Sequence, residues 1–526
     1  MKIMLRTSVV LAAVAAASSA QAADMSAAPI YKAPPVIAAS SWTGFYAGLG
    51  LGFRTARTDV TTTSVSVNGV FVNLTGLPTS QPFDGAAFRA SPYVGFNWQF
   101  APQWIAGIEG DAGFASLNAI RGGFASEPTD FSGSTGDALA VKSTWDASLR
   151  GRLGFLLTPA TLAYATSGVA WQHYDITSTC ASISCVAAAF TPAVVANSAT
   201  KAGWTIGGGL ETAFWGRWLA RADYRYADFG SAPFTIARTD ISNPRGGPIT
   251  VLGVHNLDVA MRTHTVTFGL AYKFGNSISA ETLGGASDVF AMAPSSVMSW
   301  GGFYAGLGAG VRASRADLTT TSVFFGGVAG DLSGFAASQP FDGTAFRASP
   351  YVGYNWQFAR RWVAGLEADA GFADQTTTLA GLQSSPAQLG VGDAVDSLKL
   401  KTTWDASLRG RLGFLLTPAT LAYATGGVAW QHYQVTSTCV SAECVLNRDT
   451  PAIVTNSTTK PGWTAGGGIE TAVWGHWLAC GEYRYTDFGT APFIISRTIN
   501  GLPFLDNFDV KLRTHTVTFG LAYKFN

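Results

Sequence analysis

Apolar and polar residues alternate with a period of two along most of the chain, which is the spacing of side chains on a β-strand. In the first alternating segment Phe45, Leu49 and Leu51 fall on one face, whereas Tyr46 and Arg54 fall on the other. Seven more segments of this type follow before residue 275, and eight follow residue 299. The fifth segment, residues 162–174, is apolar on both faces, so its two sides cannot be assigned. The pattern predicts an all-β fold made of antiparallel strands.

The placement of the charges favours a membrane barrel over a soluble β-sandwich, which alternates in the same way. The polar face of the segments is rich in glycine and full charges, and large aromatic residues lie near the segment ends. This is the arrangement of a barrel with lipid outside and a polar interior. Charged residues make up only 13% of the chain, about half the share in a soluble domain. We therefore predict a transmembrane antiparallel β-barrel, since no later apolar stretch is as long as a spanning helix requires.

The chain contains the same barrel sequence twice. Residues 144–166 recur without a change as residues 403–425, and residues 264–274 recur as residues 515–525. A stretch rich in Ser, Ala and Gly separates the two copies, as in a flexible linker. The predicted parts are a signal peptide (residues 1–22), a periplasmic leader (23–41), a first barrel copy (42–275), a linker (276–299) and a second barrel copy (300–526).

The N-terminus has the three parts of a secretory signal peptide. Lys2 and Arg6 are basic, residues 9–17 are apolar, and residues 20–22, Ala-Gln-Ala, have the small-x-small pattern of a cleavage site. The apolar run is far shorter than the roughly 20 residues of a spanning helix. The alternative interpretation is an apolar tail that frays from the fold.

Short and long connections alternate between the predicted strands. Residues 101–103, 158–160 and 216–217 are short enough for tight turns, whereas the connections near residues 55–88, 115–143, 175–202 and 228–261 are long. Short periplasmic turns and long extracellular loops are the topology of outer-membrane barrels. Sixteen strands can form two eight-stranded barrels or one sixteen-stranded barrel. The long linker favours two, because a hairpin connection needs only a few residues.

Two motifs carry a resemblance to a known family. Residues 42–48, Trp-Thr-Gly-Phe-Tyr-Ala-Gly, follow a proline-containing leader and recur with one change at residues 300–306, and residues 269–274, Gly-Leu-Ala-Tyr-Lys-Phe, recur at residues 520–525. The chain resembles the outer-membrane immunogenic, opacity-like small-barrel family of Gram-negative bacteria, often called the porin family. The resemblance implies a place in the cell outer membrane among its lipids. It also implies an assembly signal at Tyr523 and Phe525 for the barrel-insertion machinery. The family usually has a single barrel and ends on the aromatic residue, whereas this chain has two copies and continues to Asn526.

The inward face of the predicted barrels carries charges of both signs. An eight-stranded barrel is just wide enough for side chains to fill its interior, so these charges can pair and plug it. The alternative is a narrow polar path for small solutes. The predicted lumen charges are Arg54, Glu109, Asp111, Asp146, Arg150, Arg152, Glu211, Arg221, Asp223, Arg225 and Lys273 in the first copy, and Arg312, Glu367, Asp369, Asp405, Arg409, Arg411, Glu470, Glu482, Arg484 and Lys524 in the second.

The cysteines fit an exported protein. Cys180 and Cys185 lie in the third long connection of the first copy, and Cys439 and Cys444 repeat them in the second. Each pair can close a local disulfide in an oxidising compartment. A metal site is the rival interpretation, although neither connection offers histidine nearby. Cys480 replaces Arg221 of the first copy and is expected to be a free thiol inside the barrel.

The sequence predicts neither an enzyme nor a cofactor. It contains no Gly-x-Ser-x-Gly, His-Glu-x-x-His or phosphate-binding glycine motif, and the histidines of the strands are expected at the barrel rims. A net charge of +1 gives no reason to expect nucleic-acid binding. The leading hypothesis is a structural, surface-exposed barrel protein that contributes to envelope integrity. The rival is a passive diffusion porin for small hydrophilic solutes.

Overall fold

The computed structural model describes residues 41–123, 136–182, 185–186, 191–240, 251–275, 299–333, 337–381 and 395–525. These residues form two antiparallel sheets, one from each sequence copy. Eight long strands of each sheet close into a ring, because the last strand pairs with the first. The prediction of two eight-stranded barrels is confirmed, and a single sixteen-stranded barrel is wrong. We call the two rings barrel 1 and barrel 2.

Two of the ten strands of each barrel are short. The strands of barrel 1 are β1 (Gly44–Val67), β2 (Val70–Phe71), β3 (Ser80–Pro82), β4 (Gly85–Gln99), β5 (Trp104–Gly122), β6 (Ala138–Thr158), β7 (Thr161–Thr179), β8 (Val194–Trp215), β9 (Trp218–Asp240) and β10 (Val251–Lys273). Those of barrel 2 are β11 (Gly302–Phe325), β12 (Val328–Ala329), β13 (Ser338–Pro340), β14 (Gly343–Gln357), β15 (Trp362–Ala380), β16 (Ser397–Thr417), β17 (Thr420–Thr438), β18 (Ile453–Trp474), β19 (Trp477–Ile499) and β20 (Leu502–Lys524).

Three predicted segments lie largely outside the described residues. They are the signal peptide (residues 1–22), the leader (23–41, of which only Ser41 is described) and the linker (276–299, of which only Ser299 is described). The described part also contains a short helix, α1 (Ala442–Leu446), which Ser441 caps by accepting from the backbone N–H of Cys444. Within the described ranges, no helix is both long and apolar enough to cross a bilayer.

Each barrel has a turn end and a loop end. Tight connections such as residues 159–160 and 216–217 join the strands at the turn end, and longer connections such as residues 68–84 and 180–193 join them at the loop end. The side chains of Leu49, Leu149 and Ile206 point outward and are each about half exposed, so the outer face carries a band of apolar residues. Exposed aromatic residues border this band near the turn end at Phe45, Trp98, Trp104, Trp218 and Phe274, and near the loop end at Phe88, Phe114, Trp145, Trp171 and Trp204. The arrangement is that of a barrel with lipid outside.

The sides of β7, which the sequence left open, are set by burial. Leu162, Tyr164 and Gln172 are buried and face the lumen, whereas Val169 and Trp171 are exposed on the outer face.

The strands extend much further toward the loop end than predicted. The expected connection 55–88 is largely strand, because β1 continues to Val67, and the expected connection 228–261 is reduced to residues 241–250 by the lengths of β9 and β10. The long connections predicted from the sequence are therefore too long. The physical reason is an apolar core inside the loop end, which holds Val60, Ile236 and Val259 almost fully buried. At the height of this inner core, the residues on the outer face of the strands are polar. Because the sequence analysis takes polar outward residues as the start of a loop, it ends the strands too early.

The turn end of each lumen is closed by a second apolar cluster. Trp42 folds beneath barrel 1, where its indole N–H donates to the carbonyl of Pro159 at 3.1 Å, and it packs with a group that includes Ile105, Leu162 and Leu219. Trp300 makes the equivalent bond to Pro418 at 3.0 Å in barrel 2. Charged side chains thus lie between two apolar closures, one at each end of the lumen.

Candidate functional site

The charged lumen lies between the two apolar closures and has two layers of ion pairs. Its residues are held by strands on which every second side chain points inward, so the sequence spacing of two becomes a column of charges along the barrel. Arg150 and Arg152 are neighbours in such a column on β6, and Glu109 and Asp111 are neighbours on β5. All four are at most 8% exposed.

The layer nearer the loop end is centred on two aspartates. In barrel 1, Asp146 pairs with Arg54 at 2.6 Å and with Arg225 at 3.0 Å. Asp111 pairs with Arg225 at 2.7 Å. Arg89 binds both carboxylates, at 2.5 Å to Asp111 and 2.7 Å to Asp146. Each aspartate therefore has at least two guanidinium partners.

The layer nearer the turn end is centred on Glu109. Its carboxylate pairs with Arg150 at 2.6 Å, with Arg221 at 2.5 Å and with Arg152 at 3.7 Å, and it accepts a hydrogen bond from the hydroxyl of Tyr46 at 2.8 Å. The Tyr46 oxygen in turn accepts from Arg152 at 2.7 Å.

Two further carboxylates and the aromatic rings complete this layer. Glu211 pairs with Arg152 at 3.4 Å, and Asp223 lies 3.7 Å from Arg150. The guanidinium of Arg221 stacks 3.6 Å from the ring centre of Tyr93, and that of Arg152 stacks 4.1 Å from Tyr164. Cation–π contacts of this kind stabilise a cation that is removed from water.

Barrel 2 repeats the network with one important change, a double substitution on β19. Arg312 pairs with Asp405 at 2.7 Å and Arg484 with Asp369 at 2.7 Å. Further ion pairs join Arg347 to Asp369 and Asp405, Arg409 to Glu367, and Arg411 to Glu367 and Glu470. The change is that Cys480 stands where barrel 1 has Arg221, and Glu482 stands where it has Asp223.

The missing guanidinium leaves a small space in barrel 2. A cavity of about 20 Å³ lies beside Cys480 and is also lined by Glu367, Glu470 and Glu482. Such a volume holds about one water molecule. The longer side chain of Glu482 reaches Arg409 at 2.7 Å, whereas Asp223 stays 3.7 Å from the matching Arg150. Among the described cysteines, Cys480 alone is outside a disulfide, and its sulfur lies 3.6 Å from the hydroxyl of Tyr351.

The structure brings together nearly all the predicted lumen charges. It also places two further arginines in the lumen that the sequence analysis does not predict. Arg89 and Arg347 are central to the loop-end layers, but residue 89 falls beside the predicted connection 55–88. Continuing the alternation of Tyr93 and Ser91 backwards by two residues would have found Arg89. Lys273 and Lys524 are inward and buried but lie lower, beside Gly44 and Gly302 at the turn end.

Glycine on the inner face makes room for these large side chains. A Cβ atom at Gly113 would lie 2.1 Å from Nη2 of Arg89, and one at Gly371 would lie 2.2 Å from Nη2 of Arg347. Both distances are far shorter than any real contact, so a side chain at either glycine would displace the guanidinium group from its present position.

The loop-end cysteines form two disulfides, Cys180–Cys185 and Cys439–Cys444. Asp137 supports the first by accepting from the backbone N–H groups of Ala181 and Ser182, each at 2.9 Å. Asp396 does the same for the second at Val440 and Ser441. A carboxylate oxygen of each aspartate lies within 4.8 Å of its two sulfurs, but sulfurs joined in a disulfide are not the thiolates that bind a metal.

Two of the strand histidines, His173 and His264, lie on the outer face, and so do Tyr523 and Phe525 at the turn end. His173 stacks on Trp145, with ring centres 5.6 Å apart, and His264 lies 2.8 Å from the hydroxyl of Tyr224. Tyr523 and Phe525 are both partly exposed, with ring centres 5.3 Å apart.

Comparison with known proteins places this architecture in a family. The profile of the outer membrane protein beta-barrel domain matches residues 9–274 and again residues 286–525. The chain belongs to this family. It is therefore an outer-membrane β-barrel protein with two tandem barrels, and the resemblance read from residues 42–48 and 269–274 is confirmed.

Relatives of single-barrel length support the assignment. The chain is 31% identical over 236 residues to a 31 kDa outer-membrane immunogenic protein of Brucella melitensis, a match that covers 44% of this chain and 87% of the relative. It is 28% identical over 202 residues to a 22 kDa outer membrane protein of Rhizobium leguminosarum, covering 38% of this chain and 71% of the relative. The outer membrane protein OprG of Pseudomonas aeruginosa matches in structure over 44% of this chain and 97% of its own, with 14% identity. Its TM-score of 0.26 is too low to support a functional comparison.

Proposed function

We propose that this family member is a structural, surface-exposed outer-membrane protein that contributes to envelope integrity. The observation that carries the proposal is the filled lumen. Arg54, Glu109 and Arg150 are each 1% exposed and paired, and apolar clusters lie at both ends of the charged layers. A water-filled channel would leave such groups hydrated. Charges removed from water to this extent are tolerated only when they are paired.

The apolar outer band and its aromatic borders support two partners for this role. The band fits the hydrocarbon of outer-membrane lipid. The outward turn-end aromatic residues Tyr523 and Phe525 are the proposed signal for the barrel-insertion machinery. Strands that continue beyond the apolar band, such as the hairpin of β1 and β2, would then present the loop end to the outside of the cell.

Planar-bilayer recording of the purified full chain tests the structural role. We expect no steady conductance steps. The variant Glu109→Ala with Arg150→Ala empties the centre of the turn-end layer in barrel 1 but should still give no steps, because the apolar clusters at both ends of the lumen remain. The matched variant of barrel 2, Glu367→Ala with Arg409→Ala, should behave in the same way. Steady nanosiemens-scale steps from the unmodified protein would instead identify a diffusion porin.

One observation favours the porin for barrel 2, namely the cavity beside Cys480. If barrel 2 conducts through this space, modification of Cys480 by a small methanethiosulfonate reagent will block the current. If any current survives complete modification, the cavity is not the path.

A further inference from the structure

The wall of each barrel is incomplete near the loop end. Strands β4 and β5 pair only as far as Ala90 and Phe114, yet β5 continues to Gly122 paired on its other side to β6 alone. In barrel 2 the pairing stops at Ala348 and Phe372 while β15 continues to Ala380. Among the described residues, the last part of β5 and of β15 therefore has a backbone edge without a neighbouring strand of its own barrel. Natural sheets cover or blunt such edges, because they invite pairing with other chains.

Each edge is met by the other barrel. The side-chain amide of Gln339 on β13 donates to the carbonyl of Gly122 on β5 at 2.7 Å. The equivalent amide of Gln81 on β3 donates to the carbonyl of Ala380 on β15 at 3.0 Å. Both glutamines are 1% exposed. The contacts are reciprocal, as in the interface of a symmetric dimer.

A buried arginine bridges the same place. The guanidinium of Arg121 donates to the carbonyl of Pro82 at 2.6 Å and to that of Pro340 at 2.7 Å, so it joins β3 of its own barrel to β13 of the other. It also lies 5.4 Å from the ring centre of Phe83. The matching residue of barrel 2 is Leu379, so this bridge exists once in the pair.

The apolar cores of the two loop ends are continuous through this region. One cluster of contacting buried side chains includes Phe83 and Leu117 of barrel 1 together with Phe341 and Leu379 of barrel 2. Phe83 is 1% exposed and Phe341 is 0% exposed. Separation of the barrels would open both edges and uncover this core.

We propose that the two openings are one interaction surface, the junction, and that its partner is a second barrel of the same kind. The tandem arrangement supplies that partner within one chain. The two barrels then form a permanent pair, and the linker serves to deliver the second barrel rather than to hold it. The junction consists of β3, the ends of β5 and β15, and β13.

Cutting the linker of the full chain tests this. A protease site placed between residues 276 and 298 allows cleavage after folding, with an affinity tag on barrel 2. We expect barrel 1 to remain bound to barrel 2 in mild detergent and in membranes. If the cut halves of the unmodified protein separate while each keeps heat-modifiable migration on gels, the proposal is wrong.

Substitutions in the junction test whether its contacts are what hold the cut halves together. Gln81→Ala with Gln339→Ala and Arg121→Leu leaves four buried backbone carbonyls without their partners, and co-purification of the cut halves should fall at least about tenfold. The matched control, Leu149→Ala with Leu408→Ala on the exposed outer band, should leave co-purification unchanged. Equal loss in both would show that the loss does not arise from the junction.

A cysteine pair gives a readout that does not depend on a stability change. Gln81→Cys with Ala380→Cys should cross-link in the cut chain, so that both halves run together on a denaturing gel without reductant. Leu149→Cys with Leu408→Cys should not. Absence of the first cross-link in protein with folded barrels would overturn the proposed junction.

Discussion

At the scale of single residues, the second copy is a natural variant of the first. Arg221 gives Glu109 one of its three guanidinium partners, whereas Cys480 gives none to Glu367. Barrel 2 compensates with Glu482, which is one methylene longer than Asp223 and takes a close bond from Arg409. The two substitutions therefore belong together, and removing the arginine alone should cost more than both changes combined.

The corresponding prediction concerns Arg221→Cys. Breaking a buried ion pair by removing one partner costs about 3–5 kcal/mol, so this variant should destabilise the full chain by that order. Arg221→Cys with Asp223→Glu copies barrel 2 and should recover at least half of the loss. Urea unfolding in detergent micelles, followed by tryptophan fluorescence, measures both. Equal losses in the single and double variants would contradict the compensation.

A second prediction follows from the cysteines. Two disulfides and one remaining thiol mean that one thiol per chain should react after denaturation without reductant, and five after reduction. In the folded protein Cys480 should react slowly, because its sulfur lies within the lumen. Mass spectrometry after maleimide labelling counts the groups. Fast labelling of the native protein would show that the lumen is open.

A lumen charge can be predicted from the sequence only where the alternation of apolar and polar residues extends along its strand as far as that charge. Glu109, Arg150 and Arg225 were predicted as lumen charges because they alternate with clear apolar partners. Arg89 was missed, since its strand begins inside what polar outward residues made look like a loop. The pairing of individual charges was beyond the sequence, because it depends on which strands face each other across the lumen.

At the scale of the strands, period-two alternation fixes which face meets lipid but not where a strand ends. A strand needs only about 9–11 residues to cross a bilayer, whereas β1 has 24. The extra length is supported by a core inside the barrel at Val60, Leu139 and Ile176. The outer face therefore becomes polar at a lower height than the one at which the inner apolar core ends. A prediction based only on the outward residues places the strand end too close to the turn end.

The outer band leads to a prediction about charge. Leu149→Arg places a cation on the lipid-facing side of β6, where it should cost about 2–4 kcal/mol near the bilayer midplane. The same change at Val70, which is 72% exposed on the loop-end strand β2, should cost almost nothing. Unfolding in lipid vesicles compares the two. Similar small costs at both positions would mean that Leu149 does not face hydrocarbon.

At the scale of the whole molecule, the length of the linker is the feature of the sequence that favours closure of each copy on itself. The first and last strands of the two copies are so alike that closure within a copy and closure across copies offer nearly the same hydrogen bonds. The structure selects the first, with β1 paired to β10 and β11 to β20. The junction could not be predicted, because its contacts join residues more than 200 positions apart.

The junction also makes a pH dependence testable. Asp84 and Asp342 precede β4 and β14 above the apolar band and line one small cavity with Arg315 and His515. Burial raises the pKa of Asp84 to about 7. Burial, with the nearby charge of Asp84, raises the pKa of Asp342 to about 8, although Arg315 opposes this. Arg57, Arg121, Asp59 and Asp317 are the other charged groups that act on the pair.

The sign of the effect is fixed by the direction of these shifts. The folded state holds protons that the unfolded carboxyls, with a pKa near 3.8, release. The stabilisation of the folded state by these two bound protons is complete below about pH 4, and it is lost as the pH rises through 7 to 8. The cavity that holds both carboxyls is lined by residues of the two barrels, so separation of the barrels opens it to water and has the same sign. The cut pair should dissociate more readily at pH 9 than at pH 5, and Asp84→Asn with Asp342→Asn should remove most of the difference. A dependence of the opposite sign would exclude these two carboxyls as its source.

If the loop end faces the outside of the cell, as proposed above, a permanent pair of barrels also fixes the distance between two sets of exposed hairpins. The hairpin tips at Phe71 and Val328 are each more than 70% exposed and differ in sequence, so any bivalent receptor or antibody that recognises both gains from their effective concentration. A monomeric barrel in the same membrane would offer that advantage only when diffusion brought two molecules together. In the proposed surface role, the duplicated chain would present both hairpins at every encounter, even where the protein is scarce.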